Sequence, residues 1–260
     1  MSILKTITNY KQQEVAARKR IFPENLLKRT SLFERKVKSM SLAVVNSKNG
    51  IIAEHKRRSP SKSNINTAIE LPKVIQGYEM AGVAAVSVLT DTKFFGGSLE
   101  DLALASSLLS VPILRKEFIV DPYQIIESKA YGADAILLIA ACLSDEELIQ
   151  FSQLANDLGL EVLLEVHNHE ELQRSLLPSV QLLGVNNRNL KSFEVSLDTS
   201  RDLLDFIPEK YVKVSESGLS EPDSVKELRT LGYQGFLMGE HFMRSTDPGK
   251  EASKFIQKLL

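Results

Sequence analysis

The sequence predicts an α/β protein in which eight parallel strands alternate with helices and close into a (β/α)8 TIM barrel, preceded by a helical extension. From residue 51 onward, eight short apolar runs are separated by stretches with helical spacing. The runs are almost continuously apolar, as is typical of parallel strands buried on both faces. The length of 260 residues agrees with the roughly 250 that such a barrel needs.

The apolar runs are the predicted strands. They lie at Ile51–Ala53, Ala84–Leu89, Pro112–Leu114, Ala135–Ile139, Glu161–Leu164, Leu182–Val185, Val212–Val214 and Gly235–Met238. Eight strands within about 210 residues favour a closed barrel, because an open doubly wound sheet is expected to have fewer.

Helices are predicted between these strands from the spacing of apolar and charged residues. Examples are Leu99–Leu109, Pro122–Tyr131, Ser144–Leu158, Asp198–Phe206 and Glu221–Leu231. Gly82, Gly132 and Gly232 each follow a helix, where a glycine supplies the left-handed cap before the next strand. No linker interrupts the pattern, so we expect one barrel domain over residues 1–260.

Residues 1–48 are predicted to form two or three helices that pack on the barrel, with Pro23 as a break between segments. The first fifty residues carry eleven Lys and Arg against three Asp and Glu, a balance of +8, and the rest of the chain carries −9. Two interpretations are open: a solvated helical face, or a basic flap that attracts an anionic ligand.

Composition narrows the possible partners and the compartment. The net charge is −1, and no aromatic residue lies among the basic residues of 11–20, so nucleic acid is not expected as a partner. The longest apolar run, Ala135–Leu143, is far shorter than the roughly 18 residues that span a bilayer. The start of the chain is polar, and the single cysteine, Cys142, reads as a buried inert thiol. We expect a cytoplasmic protein without a membrane partner.

Polar residues of catalytic type follow six of the eight predicted strands. They are Glu54 with Lys56, Lys116, Glu165, Asn186 with Arg188, Ser217 with Gly218, and Gly239 with Glu240. One such residue usually marks only the point where a strand meets water. Six strand ends converge on the same mouth of a TIM barrel, where its chemistry occurs. The sequence therefore predicts an active site there.

The first and third strand ends predict acid–base chemistry. Glu54 and Lys56 are two residues apart and point the same way, whereas His55 points outward. Opposite charges in one mouth tune each other's pKa values. Lys116 shares its facing with the apolar Leu114 and would be a partly desolvated amine suited to donate a proton.

The last two strand ends predict a phosphate site. Gly218 and Gly239 allow backbone N–H groups to approach a phosphate, and loops after strands seven and eight are the usual phosphate grip of these barrels. Ordinary turns that happen to contain glycine are the alternative. No metal site is expected, because His167 and His169 lack further ligands with suitable spacing and their stretch resembles a helix cap. No cofactor motif is present either.

The stretch IAEHKRRSPS, residues 52–61, resembles the first-strand motif of the indole-3-glycerol-phosphate synthase family. The resemblance continues in order through LTD (89–91), FFGGS (94–98), LRKEFIVDPYQ (114–124), GADAILL (132–138), EVLLEVH (161–167), GVNNRNL (184–190), SESG (215–218) and MGE (238–240). It covers the whole chain, including the N-terminal extension. One departure is Glu117, where the family commonly has Asp. We expect Glu117 to face away from Lys116 and to change surrounding contacts more than the chemistry.

The resemblance implies a lyase that closes the indole ring of 1-(2-carboxyphenylamino)-1-deoxyribulose 5-phosphate, releasing CO₂ and water without a cofactor. It assigns the role of general acid to Lys116. Lys56 would hold the carboxylate of the substrate before it leaves. Glu54 and Glu165 would remove a proton and expel the hydroxyl, and the division between them is left open.

The resemblance also implies residues that bind the substrate. Asn186 and Arg188 would orient hydroxyls or carboxylates of the site, and Ser59, Ser217, Gly218, Gly239 and the backbone of Glu240 would hold the substrate and its phosphate. Phe95, Phe118 and Leu137 would form an apolar wall around the aromatic ring, or simply pack in the core. The basic N-terminal helices would partly cover the mouth.

The expected partner is a small anionic sugar phosphate, and the expected state is a monomer or a weak dimer. Three alternatives stay open. Lys116 could form a Schiff base in an aldolase-like barrel, or the barrel could isomerise another sugar phosphate. The chain could also be an inactive barrel that binds other enzymes, although the joint presence of the lysines and glutamates argues against this.

Overall fold

The computed structural model describes residues 3–190 and 192–260, and within them eight parallel strands form a closed barrel in sequential order. The strands are β1 (Ile51–His55), β2 (Ala85–Leu89), β3 (Ile113–Lys116), β4 (Ala135–Ile139), β5 (Glu161–Val166), β6 (Leu182–Asn186), β7 (Val212–Glu216) and β8 (Gly235–Met238). Closure occurs between β1 and β8, where Ile51 pairs with Phe236. The predicted (β/α)8 fold is confirmed.

Several strands extend one or two residues beyond their apolar runs. The backbone ladder continues through polar positions, pairing Leu89 with Lys116 and Asn186 with Glu216. Parallel pairing uses only backbone groups, so a polar side chain does not end it. The predicted site residues Glu54, Lys116 and Glu165 therefore lie on strands rather than in the loops that follow.

Helices precede the barrel and cover its outside. They are α1 (Ile3–Ile21), α2 (Glu24–Leu27), α3 (Met40–Asn46), α4 (Leu71–Met80), α5 (Thr92–Phe95), α6 (Leu99–Leu108), α7 (Tyr123–Ala130), α8 (Asp145–Asp157), α9 (His169–Arg174), α10 (Asp198–Leu204), α11 (Pro222–Leu231), α12 (Glu240–Met243) and α13 (Pro248–Leu259). No helix of the described residues is both long and apolar enough to cross a membrane.

Helix ends follow local sequence signals. Gly82, Gly132 and Gly232 adopt φ values of 82°, 82° and 128°, which confirms the predicted glycine caps. Asn168 caps α9 by accepting a hydrogen bond from the N–H of Glu171 at 2.9 Å. The stretch around His167 is thus a helix start, as predicted.

The barrel interior is closed at the amino ends of the strands and open at the carboxyl ends. Met40 and Val44 of α3 belong to the apolar cluster that also contains Ile52, Leu182 and Val214 inside the barrel. A second apolar layer lies between the strands and the outer helices. His55 lies in this outer region, fully buried, and burial lowers its pKa to about 4.

The basic residues of α1 are largely paired with acids of the barrel. Arg18 contacts Glu127 at 3.1 Å, and Lys19 contacts Asp121 at 2.6 Å. Lys11 is only 1% exposed. Neither a solvated face nor a free basic flap describes Lys11, because it is buried and paired with acids. Two of these acids, Asp91 and Glu117, lie far away in the sequence, and only the folded chain brings them to Lys11.

Candidate active site

A cavity of about 450 Å³ opens at the carboxyl ends of the strands. All fourteen site residues predicted from the sequence line it: Glu54, Lys56, Ser59, Phe95, Lys116, Phe118, Leu137, Glu165, Asn186, Arg188, Ser217, Gly218, Gly239 and Glu240. A cavity of this size accommodates a small organic molecule.

Lys116 is at the centre of the charged part of the cavity. Its Nζ lies 2.6 Å from Glu216 Oε2 and 3.2 Å from Glu165 Oε2. Together with Glu54, these residues come from β1, β3, β5 and β7. Alternate strands supply the four inward side chains of one layer in a TIM barrel. The closed barrel therefore explains why residues so distant in sequence meet.

Glu216 is the residue that the sequence analysis did not single out. It is 1% exposed, and it makes the shorter of the two contacts with Lys116. A signal was available, since Val214 faces the barrel interior and Glu216, two residues later on β7, must face the same way. The predicted strand ended at Val214, which hid this relation.

Two glycines make room for the buried carboxylates. A Cβ on Gly184 of β6 would lie 2.2 Å from Glu216 Oε1, and a Cβ on Gly239 would lie 2.8 Å from the Cβ of Glu54. Any larger residue would displace these side chains. Gly239 thus has a spatial role next to Glu54 in addition to the phosphate role predicted for it.

Three carboxyl groups share two lysines, and this sets their pKa values. Burial would raise the pKa of both Glu54 and Glu165, but the lysines beside them, Lys56 for Glu54 and Lys116 for Glu165, lower both pKa values overall. Burial raises the pKa of Glu216 to about 7, because Glu165 and Glu54 oppose the effect of Lys116.

The lysine itself responds to the same charges. Burial would lower the pKa of Lys116, but the contacts with Glu216 and Glu165 raise it overall. At neutral pH the cavity thus holds a protonated amine, two carboxylates and one carboxyl group that gains and loses a proton readily. This combination suits proton transfer.

Glu165 has two further neighbours. Asn186 Nδ2 donates to Glu165 Oε1 at 3.0 Å, which is one of the orienting roles predicted for Asn186. His167 Nε2 lies 3.3 Å from the same oxygen, and its Nδ1 lies 3.0 Å from Glu171 Oε2. Burial would lower the pKa of His167, but the two acids raise it to about 10, so the ring is cationic.

Arg188 is placed differently from Asn186. Its Nη1 donates to the carbonyl oxygen of Phe193 at 3.3 Å, and its backbone pairs with Val195. Arg188 thus fastens the loop after β6 at the cavity mouth and contacts no carboxylate of the site in the described residues. Its predicted contact with substrate stays a prediction.

The residues of the predicted phosphate end line the cavity, and two of them have an unusual backbone conformation. Ser217 and Gly218 both adopt positive φ, at 69° and 78°, and such a value is uncommon for serine. The side chain of Glu240 is engaged with Lys62 and lies 2.7 Å from Arg244. Burial would raise the pKa of Glu240, but Lys62 and Arg244 lower it overall. The side chain of Glu240 is thus already paired, and the role predicted for its backbone N–H stays a prediction.

The apolar side of the cavity contains the predicted aromatic wall. The rings of Phe95 and Phe118 lie 5.9 Å apart, and Leu137 projects from β4. Helix α1 adds Ile3, Leu4 and Ile7, which the sequence analysis did not assign to the site. Glu117 turns away from Lys116 and binds Thr90 and Lys11 instead.

Within the described residues, no group of three or more His, Cys, Asp or Glu side chains has a geometry suited to hold a metal ion. Cys142 is half-buried, and burial raises the pKa of its thiol well above the ordinary value. A thiol with a raised pKa is a poor nucleophile.

Comparison with known proteins identifies close relatives. The family model for indole-3-glycerol phosphate synthase matches residues 4–255. The indole-3-glycerol phosphate synthase of Bordetella pertussis is 42% identical over 98% of both chains, and that of Bacteroides thetaiotaomicron is 47% identical over 85% of both chains.

Solved structures share the fold at low identity. A tryptophan synthase α-subunit from Pyrococcus furiosus superimposes with a TM-score of 0.61 at 13% identity, covering 81% of this chain and 97% of that chain. The 3-hexulose-6-phosphate synthase of Salmonella typhimurium gives a TM-score of 0.62 at 15% identity, with 81% and 98% covered. At such identities the likeness concerns the fold alone.

Proposed function

The chain belongs to the indole-3-glycerol phosphate synthase family, decarboxylating lyases of tryptophan biosynthesis, and we propose that the charged cluster around Lys116 carries out the ring closure. The substrate is 1-(2-carboxyphenylamino)-1-deoxyribulose 5-phosphate, and the products are indole-3-glycerol phosphate, CO₂ and water. The observation that carries the proposal is the buried contact of Lys116 with two glutamates in a cavity of suitable size.

In the first step, the ring carbon that bears the carboxylate attacks the ketone carbon, and Lys116 gives a proton to the ketone oxygen. An ammonium group has three N–H donors. Two are directed at Glu216 and Glu165, so the third is available to the ketone. A positioned acid of this kind contributes roughly 10²- to 10⁴-fold to a rate.

In the second step, CO₂ leaves and its bonding electron pair restores the aromatic ring. Lys56, whose Nζ lies 2.7 Å from Glu54 Oε1, holds the substrate carboxylate before this step. Since Glu54 already neutralises Lys56, the substrate carboxylate is held only moderately, which favours its release. The apolar wall of Phe95, Phe118 and Leu137 contacts the aromatic ring.

In the third step, the hydroxyl formed from the ketone leaves as water, and the neighbouring CH₂ group loses a proton to form the indole double bond. Glu54 and Glu165, whose pKa values are lowered, are the bases available for this proton. Lys116 supplies the proton to the leaving hydroxyl. Glu216, with its pKa of about 7, returns a proton to Lys116.

The other end of the substrate is a phosphate. Ser217, Gly218, Gly239 and the backbone of Glu240 bind it, and Ser59 and Arg188 approach the substrate from the loops after β1 and β6. Lys62 and Arg244 lie beside Glu240 and add positive charge near the phosphate.

We further propose that the protein acts as a cytoplasmic monomer on this small anionic substrate. All fourteen proposed site residues come from one chain, so the reaction needs no second copy. The net charge of −1 provides no driving force for binding nucleic acid.

The experiment is a fluorescence assay of indole formation with the wild-type protein and a Lys116→Met variant. The chain contains no tryptophan, so the product signal is unobstructed. We expect turnover in the wild type and none in Lys116→Met, with product still bound. Lys19→Met, which removes an exposed lysine of α1, is the matched control. Near-normal turnover of Lys116→Met contradicts the assignment.

A further inference from the structure

Lys11 of α1 is a buried cation that contacts acids of two strand ends. Its Nζ lies 2.9 Å from Asp91 Oδ2, 3.2 Å from Glu117 Oε1 and 3.0 Å from Glu14 Oε2. Lys11, Asp91 and Glu117 are each at most 1% exposed in their side chains. Burial would lower the pKa of Lys11, but Glu117, Asp91 and Glu14 raise it overall, so it stays charged.

Both of these acids hold the backbone of a cavity phenylalanine. Asp91 Oδ1 accepts hydrogen bonds from the N–H groups of Phe94 and Phe95 at 2.6 and 3.1 Å. Glu117 Oε1 accepts one from the N–H of Phe118 at 2.9 Å. Each carboxylate thus binds Lys11 and at the same time accepts hydrogen bonds from the backbone of the loop that follows its strand. Lys11 is the cation common to both.

The two phenylalanines form one surface of the active site. Their rings lie 5.9 Å apart in a tilted contact, and both line the cavity. Phe95 follows β2 and Phe118 follows β3, so no local sequence signal fixes their spacing. The backbone N–H groups of both phenylalanines are held by carboxylates, those of Asp91 and Glu117.

We propose that Lys11 is a positioning residue for the aromatic ring of the substrate: by binding Asp91 and Glu117 together, it sets the gap between Phe95 and Phe118. The inference rests on the proposed function, since it assumes that an aromatic ring occupies this wall. Without Lys11, Asp91 and Glu117 lose the ammonium group that bridges them, and the loops that they fix move apart.

The kinetic consequence is specific. A wall that contacts the ring binds ground state and transition state equally, so loosening it raises KM and leaves kcat nearly unchanged. A residue needed only for folding would have another effect, because a smaller folded fraction lowers kcat in proportion and leaves KM as it was. The split between KM and kcat therefore separates the two roles.

The test compares Lys11→Met with Lys19→Met, which removes an exposed ion pair from the same helix. We expect KM and the Kd for indole-3-glycerol phosphate to rise together by about tenfold in Lys11→Met, the value of one good aromatic contact. We expect kcat per folded molecule within about twofold of wild type, and no change in Lys19→Met. Unchanged KM and Kd in Lys11→Met overturn the inference.

Lys11→Met leaves two buried negative charges, those of Asp91 and Glu117, without Lys11; Glu117 keeps Arg115 at 3.8 Å, and the variant could fail to fold. The double variant Lys11→Met with Glu117→Gln removes one of these charges and keeps an oxygen that accepts from the N–H of Phe118. We expect it to fold and to show the same rise in KM, and a normal KM in it refutes the inference. Failure of the proposed function is distinct, because the wild type itself would then form no indole product.

Discussion

Replacing Glu216 by Gln should lower turnover and, at high pH, raise the free energy of unfolding. The side chain keeps its shape but loses its charge and its proton. Glu216 is fully buried, and its pKa is raised from 4.5 to about 7. The folded protein therefore binds a proton at this site more tightly than the unfolded chain does.

The sign and size of the effect follow from linkage. Between pH 4.5 and pH 7, the folded state holds more protons at this site than the unfolded state, so stability falls as pH rises. From pH 5 to pH 8 the loss is roughly 2.5 kcal/mol, at about 1.4 kcal/mol per pKa unit. Glutamine does not titrate, and Glu216→Gln avoids this loss.

The assay is urea unfolding of both proteins at pH 5 and pH 8. From pH 5 to pH 8 the wild type should lose roughly 2.5 kcal/mol of unfolding free energy relative to Glu216→Gln. Turnover should fall roughly 10²- to 10⁴-fold, because Gln cannot return a proton to Lys116. Glu227→Gln, at an exposed site, is the control with little expected change. Stability curves that run parallel for wild type and Glu216→Gln refute the reasoning.

Three further predictions concern the same cavity. In Gly184→Ala the new methyl group displaces the Glu216 carboxylate, so kcat should fall at least tenfold; an unchanged kcat would contradict the packing argument. In His167→Gln the cation beside Glu165 is lost, so the pKa of Glu165 should rise. The acidic limb of the plot of kcat against pH should then move to higher pH. A limb that does not move would show that His167 does not act on Glu165. Borohydride added with substrate should leave no adduct on Lys116, and a trapped adduct would favour a Schiff-base mechanism.

The order of strands and helices was predictable because each depends on local patterns. Apolar runs and helical spacing placed all eight strands, with ends within two residues of those observed. The strand ends were less predictable, since the ladder continues through polar residues such as Lys116 and Glu216. This error of two residues was enough to hide Glu216.

The predicted site residues all line one cavity, because the carboxyl ends of parallel strands in a barrel face one mouth. The family relation then favours the synthase over an aldolase, another isomerase or an inactive barrel. The sequence motifs, and not the fold, distinguish between these functions. The fold is shared at 13–16% identity with solved structures that are not named as this synthase.

The sequence by itself determined the fold class, the family and the side of the barrel on which the site lies, because periodicity and motifs are properties of neighbouring residues. Only the tertiary structure decided which charges meet. Lys116 and Glu216 are 100 residues apart, and Lys11 contacts Asp91 and Glu117 across a similar separation. Such contacts depend on barrel closure, strand register and the docking of α1, and these are fixed by the packing of the whole chain.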